Sequence, residues 1–158
     1  MRVSVCNRQR GCPVSVAAVK RLVRGFAELA GARSSEGMPW REVTIHLLDD
    51  AGIAPVNLAI MGHEGATDVI TQRYAPIPGE PDGLIGELFV NVQYARNAAT
   101  RRAGWSADRE LALYLAHGCD HLSGADDHEP RERAAMRRRE LAWLRRLPLT
   151  PLFQSDIL

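Results

Sequence analysis

The sequence predicts a single α+β domain, a small mixed sheet of about four strands packed with five or six helices, one of them central and carrying the candidate site. Three observations predict it. Short β-branched runs alternate with longer runs whose apolar residues recur every third or fourth position. Their order is strand, helix, strand, helix, two strands and three helices. The 158 residues suffice for one core, and no repeat, low-complexity tract or linker marks a second domain.

Val3 and Val5 alternate with polar residues, as in a strand with one buried face. Pro13 opens a helix from Val14 to about Leu29, where Val16, Val19, Leu22, Val23, Phe26 and Leu29 keep helical spacing, and Gly31 is expected to end it. A Ser/Gly-rich loop leads to the strand Glu42–Leu48, in which His46 reads as a packed or surface residue rather than a ligand. Asp49 and Asp50 can cap a second helix, Ile53 to about Met61, with Pro55 in its first turn and Gly62 as its stop. Thr67–Thr71 and Leu84–Asn91 read as strands joined by a proline-rich loop and paired antiparallel. A helix around Tyr94 to Ala103, closed by Gly104, precedes one capped by Ser106, with Asp108 and Glu110 suited to its amino-terminal dipole. Pro130 opens the last helix, to about Leu147.

Composition excludes several classes. At 46% hydrophobic and 25% charged, the chain is an ordinary globular sequence, and its net charge of +1 selects no partner by itself. Cys6, Cys12 and Cys119 form no CxxC pair, so neither a disulfide framework nor a cysteine zinc site is expected. No stretch reads as a signal peptide or membrane span, which leads us to expect a cytoplasmic protein with reduced thiols.

The chemistry gathers in His117-Gly-Cys-Asp-His-Leu-Ser-Gly-Ala-Asp-Asp-His128. His117 and His121, four apart on a helix, project from one face and can close on one metal ion. Gly124 can leave the helix by a left-handed conformation, so that the chain turns back and Asp127 or His128 supplies a third ligand. Two imidazoles, a third donor and an open position for water suit catalytic zinc. The alternative is a packed core histidine beside a charged helix end. Gly118 stands where helical zinc proteases carry a glutamate base, which disfavours proteolysis. Asp126, Asp120 or Glu64 could serve as general base, and Asp126 could equally orient an imidazole. Arg131, Arg133, Arg137, Arg138, Arg139, Arg145 and Arg146 form either a solvated helix face or a surface for a polyanion such as RNA.

The stretch His117 to Asp127 resembles the His-Gly-x-Leu-His-Leu-x-Gly-aromatic-Asp-His signature of the YbeY family, bacterial endoribonucleases also described as rRNA maturation factors. Asn57 followed by Thr67-Asp68-Val69-Ile70-Thr71 is similar to that family's Asn and Thr-Asp-Val-Leu-Ser segment, and Gly86-Glu87-Leu88 to its Gly-Asp-Ile. The likeness spans about Val3 to Leu144. The family's third histidine falls here on Asp127, which the register favours over His128 as the third ligand. Asp120 replaces the family's leucine and Ala125 its aromatic, so different packing beneath the site is expected. Met61 occupies the position of a family arginine associated with catalysis, leaving His63 or Arg73 to supply a cation.

The resemblance implies a zinc-dependent, single-strand-preferring endoribonuclease acting in ribosomal RNA maturation and ribosome quality control. It implies one Zn2+ or another divalent transition metal per chain, and as partners ribosomal RNA, the small ribosomal subunit and ribosome-associated proteins. The competing expectations are a ribosome-assembly or RNA-binding factor whose metal is structural, and a metal hydrolase of another substrate.

Overall fold

A computed structural model describes residues 1–100 and 105–154. Their elements are β1 (Arg2–Asn7), α1 (Val16–Arg33), β2 (Trp40–Leu48), α2 (Asp50–Val56), β3 (Val69–Tyr74), β4 (Leu84–Asn91), α3 (Val92–Ala99), α4 (Ala107–Leu122) and α5 (Pro130–Arg146), with a π-helical turn at Asn57–Met61. The sheet order is β1-β2-β4-β3. β1, β2 and β4 run parallel and β3 antiparallel to β4, so the sheet is mixed, as expected. Among the described residues no helix is long and apolar enough to cross a membrane.

The parallel strands explain the core. Val43, Ile45 and Leu47 of β2 and Leu88 and Val90 of β4 are fully buried on one face, against Val19, Val23 and Phe26 of α1 and Leu111 and Leu115 of α4. On the other face Leu48 and Ile70 meet Ile53 of α2 in a smaller cluster. α4 lies close to the sheet because Gly118 has no side chain: a Cβ there would stand 2.5 Å from Leu88 Cδ2. Of the residues of α4 from Glu110 onward, only His117 and His121 are not buried.

Several boundaries differ from those expected. α1 starts later than Val14 because Ser15 caps it, its hydroxyl accepting from the Ala18 N–H at 3.2 Å, while Val14 pairs with Phe153. It runs through Gly31 to Arg33, since buried Ala27 and Ala30 continue its apolar face. α2 begins at Asp50, with Asp49 as cap, so Pro55 falls in the second turn rather than the first. Proline has no N–H for the i−4 carbonyl, and the helix widens to the π-turn two residues later. Gly62 ends that turn with φ +71°, as expected of it. β3 is shifted to Val69–Tyr74, because Thr67 and Asp68 are held by buried Asn91: its Nδ2 donates to Thr67 O at 3.1 Å, and its N–H donates to Asp68 O at 2.8 Å. Asn91 also caps α3, which therefore starts at Val92. The expected close of that helix at Ala103 and Gly104 lies outside the described residues. Ser106 and Pro130 start α4 and α5 where expected.

Candidate metal centre

α4 carries both histidines at its carboxyl end. Their rings stand edge to face with centroids 4.4 Å apart, and the two Nε2 atoms face each other at 3.0 Å. Each ring is held from behind: His121 Nδ1 donates to Ala125 O at 3.0 Å, and His117 Nδ1 bonds Glu140 Oε1 of α5 at 2.5 Å. The chain can return to receive the first of these bonds because Gly124 has φ +98°. The turn then presents the Asp127 carboxylate, Oδ2 being 3.3 Å from His121 Nε2 and 3.8 Å from His117 Nε2.

The hydrogen bonds fix the tautomers, with protons on Nδ1 and lone pairs on Nε2. In these tautomers two Nε2 lone pairs and the Asp127 carboxylate point at one small volume, an arrangement that a metal ion would satisfy. Two nitrogens and one oxygen on three side chains could hold a divalent metal ion with room for a further ligand. Burial alone would lower the pKa of His117, yet Glu140, and then Asp127 and Asp68, raise it above the ordinary imidazole value, so the site favours positive charge.

The centre opens on a cavity of about 510 Å³ walled by Asn57, Met61 and His63 on one side and by Thr67–Thr71 on another. Asn57 is buried and fastens this wall, its Nδ2 donating to Gly65 O at 3.0 Å. Asp126 and His128 stand at the rim, paired with each other at 3.2 Å, and His128 is 82% exposed. Of the residues expected at the site, His117, His121, Asp126, Asp127, His128 and His63 all line this cavity, and Asp126, Asp127 and His128 form a second, more exposed group of possible metal ligands beside the histidine pair. Arg73 is directed elsewhere: it pairs with Glu36 at 2.5 Å and donates to Leu122 O at 3.4 Å, and it does not line the cavity. Asp120 is excluded as a general base, because it is wholly buried between Arg33 at 3.0 Å and Arg139 at 2.6 Å. Glu64 is exposed and does not line the cavity.

Against known proteins, the family described as Endoribonuclease YbeY matches residues 4–148. The chain belongs to the YbeY family. Endoribonuclease YbeY of Pelotomaculum thermopropionicum is 35% identical over 155 residues, 95% of this chain and 99% of that one. That of Rhodopirellula baltica is 38% identical over 126 residues, 79% of this chain; the match covers 63% of that longer protein. A Thermotoga maritima protein solved in solution shares the fold, with a TM-score of 0.57, 19% identity and coverage of 90% of this chain and 86% of its own.

Two structural features of this YbeY-family chain escape a reading of the sequence. Glu140 is a buried acid among arginines; its signal is that it shares the helical stripe of Met136 and Trp143, both buried, rather than the polar face. The Asp120 ion pairs bind α4 to both α1 and α5, and they account for a buried carboxylate where the resemblance leads one to expect leucine. His46 is the packed residue expected, stacked on Phe89 at 4.7 Å and paired with Glu87.

Proposed function

We propose that this chain is a zinc-dependent endoribonuclease that cleaves single-stranded RNA in ribosomal RNA maturation and ribosome quality control. One observation carries the reading: the convergence of His117 Nε2, His121 Nε2 and the Asp127 carboxylate at the floor of an open cavity, in a chain of this family. His117, His121 and Asp127 would hold the ion, while His128 pairs with Asp126 at the rim. Bound there, zinc or another divalent transition metal would supply Lewis acidity toward a phosphoryl oxygen and bring a water's pKa toward neutrality. Glu140 and Ala125 O keep the two imidazoles in the tautomer that offers Nε2. Asp126, whose Oδ1 accepts from the Asp127 N–H at 2.8 Å, is the base that takes the water's proton. His63 lines the opposite wall of the cavity. The expected partners are ribosomal RNA, the small ribosomal subunit and its associated proteins, in the cytoplasm.

One observation favours a second reading, an assembly factor with a structural metal: no lysine or arginine lines the main cavity among the described residues. Metal content by elemental analysis, together with cleavage of single-stranded ribosomal RNA by wild type and His117→Ala, separates the two. About one zinc per chain, with cleavage lost in the variant, supports the endoribonuclease. Metal without cleavage by either protein supports the assembly factor.

A further inference from the structure

The main cavity is not the only opening onto His117. A second cleft, of about 340 Å³, lies around that ring from the first and shares Asp68, Val69 and His117 with it; its remaining wall includes Tyr94, Tyr114, Glu110 and Arg137. A smaller opening, of about 230 Å³, joins Arg137 and Glu140 to Asp127 and His117. Arg137 stands one turn before Glu140 on α5, so the residue that fastens His117 and this arginine share a helix face. Its guanidinium is exposed, and it forms no hydrogen bond or ion pair among the described residues. The other α5 arginines nearest the site are committed: Arg133 donates to Asp127 O and His128 O, and Arg139 pairs with Asp120.

The inner wall of this cleft has a different character. Tyr94 is 42% exposed, and its ring stands 6.5 Å from that of buried Tyr114, tilted by 51°. The Tyr114 hydroxyl is sealed from solvent and forms no well-aligned hydrogen bond, although Glu110 is close. Glu110 accepts from Trp105 Nε1 at 2.6 Å. Asp68 accepts from the Val69 N–H at 2.7 Å. Carboxylates beside an aromatic face repel a phosphate but accept hydrogen bonds from the amino or imino groups of a base. A free arginine at the mouth has the opposite preference.

We propose that this second cleft is a nucleotide subsite for the RNA strand, in which Tyr94 stacks the base next to the cleaved linkage and Arg137 binds the phosphate beside it. The proposal rests on the endoribonuclease reading and deepens it: the cation missing from the main cavity is delivered from α5. The strand passes over His117, with its linkage at the metal centre and the neighbouring base turned toward Tyr94. The cleft's size falls within the range of about 300–1,000 Å³ usual for small-ligand sites.

The test measures binding of short single-stranded RNA to the full chain by fluorescence anisotropy across a salt series, with an abasic nucleotide placed at each position in turn. For Arg137→Ala we expect the slope of log K against log salt to fall by about 0.7, one phosphate contact on a single strand. For Tyr94→Ala we expect about a tenfold loss of affinity with the slope kept, and restoration by Tyr94→Phe. One abasic position should weaken wild type and leave Tyr94→Ala unaffected. Abasic effects identical in both proteins would overturn the stacking assignment. An equal slope change in Arg138→Ala, whose charge lies outside the cleft, would show a diffuse field and overturn the role of Arg137. Wild type that binds no single-stranded RNA would sink the endoribonuclease reading and the subsite with it, whereas binding unaltered by either variant would sink the subsite alone.

Discussion

Arg139 grips Asp120 through two N–H groups, Nε at 2.9 Å and Nη2 at 2.6 Å, while Arg33 meets the other carboxylate oxygen at 3.0 Å. The carboxylate is wholly buried and the two arginines are about a quarter exposed. Such a cluster contributes little net stability, but removing one partner strands the others. Asp120→Leu should therefore destabilise the domain by about 3 kcal/mol in urea unfolding, less if water reaches the freed guanidinium groups. Asp120→Leu combined with Arg139→Leu should recover part of that loss; additive losses would show that the pair is not coupled.

Glu140 would act on a bound metal ion through His117. Glu140→Leu removes the acceptor for Nδ1–H, freeing the ring to rotate and change tautomer, and metal affinity should fall by about 10- to 100-fold. A competition titration against a chelator reads this directly. Unchanged affinity would return Glu140 to a purely structural role.

The turn after Gly124 offers two neighbouring donors, of which one faces the histidines. Asp127→Ala should abolish tight metal binding, and His128→Ala, at a ring 82% exposed, should leave it within a few-fold. The reverse order in the same titration would show that the turn rearranges when metal binds.

Gly118 sets how closely α4 approaches β4. In Gly118→Ala the new methyl group meets Leu88 Cδ2 at 2.5 Å and Cγ at 3.0 Å, and Leu88 is fully buried, so it cannot swing into solvent. Overpacking of this kind costs about 1–3 kcal/mol. Thermal unfolding should show the loss, and Leu88→Ala in the same chain should offset part of the clash while adding its own cavity.

Glu87 contributes stability that depends on pH. Burial alone would raise its pKa, but hydrogen bonds from Tyr74 and His46, with the nearby charges of His46 and Arg8, lower it below the ordinary 4.5. A carboxyl whose pKa is lower in the folded than in the unfolded chain stabilises the fold above the unfolded value. That contribution is lost as pH falls through the folded value. Glu87→Gln should thus unfold more readily at neutral pH and show a flatter decline of stability below pH 4.5. An unchanged acid limb would rule out this carboxylate as a source of the pH dependence.

How much of this was legible in the sequence depends on the range of the interaction. The spacing of His117 and His121, the release at Gly124 and the caps at Ser106 and Pro130 are local, and their signals lie within a turn of where they act. Gly31 misleads as a helix stop because the packed faces of Ala27 and Ala30 carry α1 past it. The Asp120 cluster and the bond from His117 to Glu140 join residues 19 to 87 positions apart in the chain, where periodicity carries no information. Arg73 fails as a site cation for the same reason: its partner, Glu36, is brought to it by a distant loop.

The helix that presents the two imidazoles is also the one around which the interior is assembled, with Leu111, Leu115 and Leu122 sealed against sheet and neighbours. Local opening of that segment would expose most of the interior, so its amides should exchange with solvent only through global unfolding. The placement of the two imidazoles is consequently as durable as the fold itself, and any ion bound there would meet a rigid template. Surface change that leaves the interior intact is confined to the exposed residues of the cavity walls and of α5.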